Sequence, residues 1–108
     1  MTDRSRTKWI GLVEVVVPEG SKLFEGNPKG GFVNVIALAY TQQEFFSRVR
    51  KSLVEMGFKI VAIEDVELYV DRIKHYEIDP HLKELAAKID AKNPVGFATF
   101  HTYPAKDE

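Results

Sequence analysis

Two segments of the chain are apolar at nearly every position, which limits the folds open to it. Residues 9–17 (WIGLVEVVV) and 32–40 (FVNVIALAY) are rich in β-branched and aromatic side chains, and each contains a single charged or amide residue, Glu14 and Asn34. Both segments predict β-strands. Because successive strand residues point to opposite faces, strands of this composition are apolar on both faces and need cover on each.

Two helices are predicted. T41-Q-Q-E44 matches a capping box, and Gly57 marks the end of the first helix. Its apolar face contains Phe45, and the side chains expected in the core are Phe46, Val49, Leu53 and Met56. For the second helix, Asp79 is the expected N-cap, Pro80 occupies the first helical position and N93-P94 follows the end. Its apolar stripe comprises Leu82, Leu85, Ala86 and Ile89.

Two further segments have strand composition. Residues 58–73 (FKIVAIEDVELYVDRI) are longer than a usual strand and contain an acidic pair in the middle. They form either one bent strand or two short ones, and a bend or bulge is favoured because no Gly or Asn is present for a tight hairpin turn. Residues 95–103 predict the last strand. The glycine-rich stretch 18–31 predicts a long, mobile loop.

The predicted fold is α+β, with the order β-β-α-β-α-β. We expect a two-layer sandwich in which two helices lie on one face of a mixed four-stranded sheet. A ferredoxin-like arrangement with an extra N-terminal strand is one version of this architecture, and it implies no activity. Residues 1–108 are expected to form one domain, with an ordered core over 8–103 and flexible tails at 1–7 and 104–108.

Composition narrows the classes of function. The formal net charge of −1 argues against a nucleic-acid-coating protein, which needs a large basic excess. The absence of cysteine excludes disulfides and thiolate zinc sites. The polar residues 1–8 lack the apolar run of a signal peptide, and no segment is long enough to span a bilayer, so we expect a cytoplasmic protein without a membrane partner.

The sequence offers three sets of candidate binding residues. Lys29, Gly30 and Gly31, in the loop 18–31, could cradle an anion with backbone amides, but they lead into a strand and match no phosphate-binding motif. His75, Asp79 and His81 lack the spacing of a metal site, and no metal or cofactor is expected.

The acidic run around Glu64 and Asp65 has two interpretations. These carboxylates, with Tyr69 and His101, could form a site for acid–base chemistry. Alternatively, they solvate a sheet face or guard a strand edge against unwanted pairing, which we favour.

The resulting hypothesis is a small interaction or ligand-binding module that acts as a homodimer, and we favour a non-enzymatic role. It follows from the two strands that are apolar on both faces, because two helices on one side would leave the other side uncovered. The alternatives are a small enzyme that uses Glu64, Asp65 and His101, and an anion or metabolite sensor that uses the loop 18–31.

Overall fold

The computed structural model of the protein describes residues 7–17 and 29–103. Its strands are β1 (Thr7–Val16), β2 (Gly30–Ala39), β3 (Lys59–Leu68), β4 (Val95–Phe97) and β5 (His101–Tyr103). Its helices are α1 (Gln42–Glu55), α2 (Tyr69–His75) and α3 (Pro80–Lys88). The predicted tails and residues 18–28 of the predicted loop lie outside the described residues, apart from Thr7, which begins β1.

The strands form one open sheet in the order β3-β1-β2-β4, and β5 continues along β2 beyond β4. β1 and β2 pair antiparallel over their full length, from Thr7 opposite Ala39 to Val16 opposite Gly30. β3 is antiparallel to β1, and both β4 and β5 are antiparallel to β2. The α+β class is therefore confirmed, but the neighbouring pairs are all antiparallel where a mixed sheet was predicted. The N-terminal strand is central in the sheet.

One face of the sheet, the α1 face, holds the larger core. Alternate residues of β1 and β2 contact the buried stripe of α1, and the stripe residues Phe45, Val49 and Leu53 are fully buried. The contact is close at Gly11, where an added Cβ would lie 3.1 Å from the Phe45 ring. The buried residues that β1, β2 and the adjoining Val17 contribute to this core are Val13, Val15, Val17, Val33, Val35, Ala37 and Ala39.

The opposite face, the α3 face, carries a second and smaller core. Ile10 and Ile36 are direct neighbours across β1 and β2, and both pack in one cluster with Ala86 and Ile89. Gly96 lies next to Ile36 in the sheet, and a Cβ there would come within 2.7 Å of Leu85 Cδ1. The two predicted helices therefore lie on opposite faces, where one shared face was expected, because the doubly apolar strands are covered from both sides.

The bounds of α1 agree with the prediction. Thr41 Oγ1 accepts a hydrogen bond from the Glu44 amide at 3.1 Å, and the Glu44 carboxylate accepts from the Tyr40 amide at 2.6 Å. Gly57 follows the helix with φ of 95°, a conformation that glycine adopts without strain. The buried stripe differs from the predicted one by a rotation of the helix: Phe45 is buried, whereas Phe46 is only half-buried and Met56 is 41% exposed.

Residues 58–73 divide between a strand and a helix. β3 is one continuous strand with two bulges, as favoured from the sequence, and it ends at Leu68. The remaining residues, predicted as strand, form α2. At the second bulge Gly11 of β1 faces two residues of β3, because Ile10 pairs with Glu67 and Leu12 pairs with Glu64.

Candidate interaction surface

β3 lies at one end of the sheet. In the part of the chain that the structure describes, β1 is its only neighbouring strand, so the other side of β3 is an open edge. The backbone N–H and C=O groups along such an edge can pair with an added strand. The feature that positions this edge is the split β-α-β arrangement: β2 and β3 are both antiparallel to β1, which lies between them, and α1 connects them.

A groove runs between α1 and this edge, and we call it the β3 edge groove. It is lined by Phe46, Arg50 and Val54 from α1 and by residues 60–63 from β3, and its volume is about 470 Å³. Two valines at the groove are unusually open to solvent: Val54 is 57% exposed and Val61 is 54% exposed. Among the described residues, the groove therefore presents apolar side chains beside a strand edge that pairs with no other strand.

The first bulge of β3 explains why Val61 is exposed. Val15 pairs with Ile60 and Glu14 pairs with Ala62, so Val61 is an extra residue without a partner in β1. Ile60 and Ile63 pack against the core of the α1 face. The register with β1 places the residues on either side of this apolar segment, Lys59 and Glu64, on the α3 face.

The second bulge of β3, at Asp65, lies just beyond the other end of the apolar segment 60–63. Asp65 adopts φ of 56°, in the left-handed region. Arg72 of α2 donates from Nη2 to the Asp65 carbonyl at 2.8 Å and from Nε to the Glu67 carboxylate. The Arg72 guanidinium also lies 6.0 Å from the centre of the Tyr76 ring. These contacts hold α2 against the bulge. The same residues line a second cleft of about 640 Å³.

The structure does not bring the predicted acid–base residues together. Glu64 and His101 are on the same face of the sheet, but β1 and β2 lie between their strands. Their backbones are therefore separated by at least about 14 Å, the width of three strand spacings. Tyr69 is half-buried in α2 and packs against the small core of the α3 face. Asp65 is exposed, and its backbone carbonyl accepts the hydrogen bond from Arg72.

The glycines considered for anion binding belong to the sheet. Gly30 pairs with Val16, Gly31 pairs with Val15, and both glycines are buried in β2. Lys29 is exposed, and its carbonyl accepts a hydrogen bond from the Val17 amide at 2.8 Å. The rest of the predicted loop, residues 18–28, lies outside the described residues.

The histidines and Asp79 have local contacts. Asp79 caps α3 as predicted, since its Oδ1 accepts from the His81 amide at 2.7 Å. His75 Nδ1 lies 3.0 Å from the Asp71 carbonyl oxygen, and His81 Nδ1 lies 4.0 Å from the Glu84 carboxylate. Over residues 7–17 and 29–103, no group of three or more His, Asp or Glu side chains is arranged to hold a metal ion.

Sequence reasoning missed the residues of the β3 edge groove. In the sequence, Val54 and Phe46 fit an amphipathic helix and Val61 fits a strand, without any mark of a shared surface. The available signal was the run I60-V61-A62-I63, four consecutive apolar residues in a strand whose flanks are charged. Which strand forms the sheet edge depends on topology, which the local pattern does not specify.

Comparison of the chain with protein-family models, with curated proteins and with solved structures gives no match. None of the helices in the described ranges is both long and apolar enough to cross a membrane.

Proposed function

We propose that this chain is a protein-interaction module that acts as a homo-oligomer, and that the β3 edge groove is its contact surface. The observation that carries the proposal is a strand edge, open within the described ranges, with two exposed valines beside each other at the groove, Val61 on β3 and Val54 on α1. Fully burying a valine is worth about 1.5–3 kcal/mol, so covering the exposed half of each would contribute about 1 kcal/mol. Backbone hydrogen bonds to an added strand would add affinity and orientation.

The flanks of the groove support a selective contact. Natural edge strands avoid indiscriminate pairing by means of charged residues and bulges. The apolar segment 60–63 of β3 is preceded by Lys59 and followed by Glu64 and Asp65, and β3 has bulges at Val61 and at Asp65. These features limit pairing to a short segment over residues 59–64.

Self-association was expected from the sequence through an uncovered sheet face, and the pattern of burial favours the edge instead. α3 covers one half of the second face, where Ile10 and Ile36 are fully buried. The apolar residues on the other half of that face, Leu12, Val16 and Phe32, are only partly exposed. The valines of the edge groove are more open to solvent than any of these.

The other hypotheses have less support. An enzyme that uses Glu64 and His101 needs both side chains at one substrate, and the sheet separates them by two strands. The sensor hypothesis depends on the loop 18–31, of which residues 18–28 lie outside the described ranges. A cytoplasmic location also stays a prediction.

Sedimentation velocity across the micromolar range tests the proposal. We expect the wild type to approach twice the 12.3 kDa mass of one chain as concentration rises. Val61→Lys should stay at the mass of one chain, because a lysine on an edge strand disfavours pairing.

Val70→Lys is the matched control. Val70 lies on α2, is 52% exposed and does not line the groove, so its substitution adds the same charge at a site of similar exposure. This variant should associate like the wild type. A wild type that sediments as one chain at every concentration would overturn the proposed function.

A further inference from the structure

We infer that two copies pair through β3 in one antiparallel register, with Val61 of one copy opposite Ala62 of the partner subunit. This inference rests on the proposed self-association and names the arrangement of the two chains. It would join the two sheets edge to edge across a two-fold axis normal to the sheet.

The segment K59-I-V-A-I-E64 is complementary to itself in this register. Read antiparallel against a second copy, Lys59 is opposite Glu64, Ile60 is opposite Ile63, and Val61 is opposite Ala62. Directly opposed residues interact most strongly across an antiparallel pair, and opposite charges there are favourable. The two-fold axis repeats each of these pairs, so a Lys–Glu pair lies at both ends of the paired segment.

Because of the bulge at Val61, the residues paired in this register point to the same face of the sheet. In a regular strand, residues five apart point to opposite faces, so Lys59 and Glu64 could not meet on one side. The extra residue shifts the alternation, and the pairing with β1 places both on the α3 face. The same shift places Ile60 and Ile63 together on the α1 face. The charged pair and the isoleucine pair therefore each join side chains on the same face.

Neighbouring registers lose this match. A slip in one direction sets Ile60 opposite Glu64, and a slip in the other sets Lys59 opposite Ile63. In each case a charged residue of the α3 face meets an isoleucine of the α1 face. Register is strongly specified where a one-residue slip moves side chains to the wrong face.

The α1 side of the groove extends the contact beyond the strands. Phe46, Arg50 and Val54 line the groove on the α1 face, so in a two-fold pair the two grooves open towards each other. A stable interface buries at least about 1,000 Å² in total, which is more than a short strand pair provides. In the proposed pair, the α1 side chains that line the groove are therefore part of the interface.

Charge reversal tests the register by sedimentation equilibrium. Lys59→Glu alone, or Glu64→Lys alone, converts both end pairs to like charges and should raise the dissociation constant about tenfold. The double variant Lys59→Glu/Glu64→Lys restores opposite charges and should return within about threefold of the wild type. Lys83→Glu, at an exposed position of α3, makes the same change in net charge as Lys59→Glu and should have little effect.

Mixing the two single variants gives the sharpest readout. In a mixed pair, the two substituted side chains face each other with opposite charges at one end of the paired segment. At the other end, the unchanged Lys59 of one chain faces the unchanged Glu64 of the other. Lys59→Glu and Glu64→Lys should therefore associate with each other more tightly than either does with itself. Circular dichroism spectra like that of the wild type would show that each variant is folded.

The outcomes separate the two proposals. A wild type that never associates would overturn the proposed function and the register with it. Association that Val61→Lys abolishes, but that ignores the charge reversals and shows no preference in the mixture, would overturn the register and leave the interaction surface in place.

Discussion

At the scale of single residues, Asp65 is the position at which the backbone conformation most restricts the choice of residue. Among the residues described, it is the only non-glycine residue with positive φ, at 56°. Aspartate and asparagine tolerate this region better than other residues, and β-branched side chains tolerate it worst. The bulge that turns β3 towards α2 depends on this conformation.

Asp65→Val should therefore lower the free energy of unfolding by about 1–2 kcal/mol, whereas Asp65→Asn should change it by less than about 0.5 kcal/mol. Urea denaturation of both variants measures the difference. Equal stabilities for the two would mean that residue 65 is not held in the left-handed region.

At the scale of elements, α1 both builds the core and borders the groove, and two adjacent phenylalanines divide these roles. Phe45 is fully buried on the α1 face, whereas Phe46 is half-buried and lines the β3 edge groove. The two rings contact each other edge to face, with centroids 6.3 Å apart.

Phe45→Ala should lower the free energy of unfolding by about 3–5 kcal/mol, as expected for a large ring removed from a core. Phe46→Ala should cost less than half of that in a monomeric background such as Val61→Lys, yet it should weaken self-association of the otherwise wild-type chain. Denaturation and sedimentation, measured on the same variants, check the two effects. A larger stability loss at Phe46 than at Phe45 would contradict the observed orientation of α1.

The sequence predicts some elements well because their signals are local. The bounds of α1 follow from the capping box at Thr41 and from Gly57, and the cap of α3 follows from Asp79. α2 was missed because its residues (YVDRIKH) include β-branched and aromatic side chains that favour strands. The helix is held instead by contacts with residues outside it: Arg72 donates hydrogen bonds to the Asp65 carbonyl and to the Glu67 carboxylate, and Tyr69 packs against the core of the α3 face.

The face that each helix covers was beyond local reasoning. An amphipathic stripe shows that a helix packs on something, but it does not specify which side of the sheet. The same limit applies to the candidate site. Charges near Glu64 suggest a guarded strand edge from the sequence alone, while the groove beside them required knowledge that β3 is the outer strand.

At the scale of the whole molecule, the two cores on opposite faces bear on the kind of association that is possible. Each face of the central strands is covered within one chain, by α1 on one side and by α3 on part of the other. The contact surface that we propose is an edge and not half of a core. A chain of this kind should fold alone and associate afterwards, unlike obligate dimers, whose monomers expose a large apolar face.

Thermal unfolding at several protein concentrations distinguishes these cases. Because association stabilises the folded state by mass action, the unfolding midpoint of the wild type should rise with concentration. Val61→Lys should unfold cooperatively at a midpoint that is independent of concentration, since its core is complete without a partner. If Val61→Lys instead lacks a cooperative transition, while Val70→Lys retains one, the second chain completes the fold itself, and the edge is part of an obligate dimer.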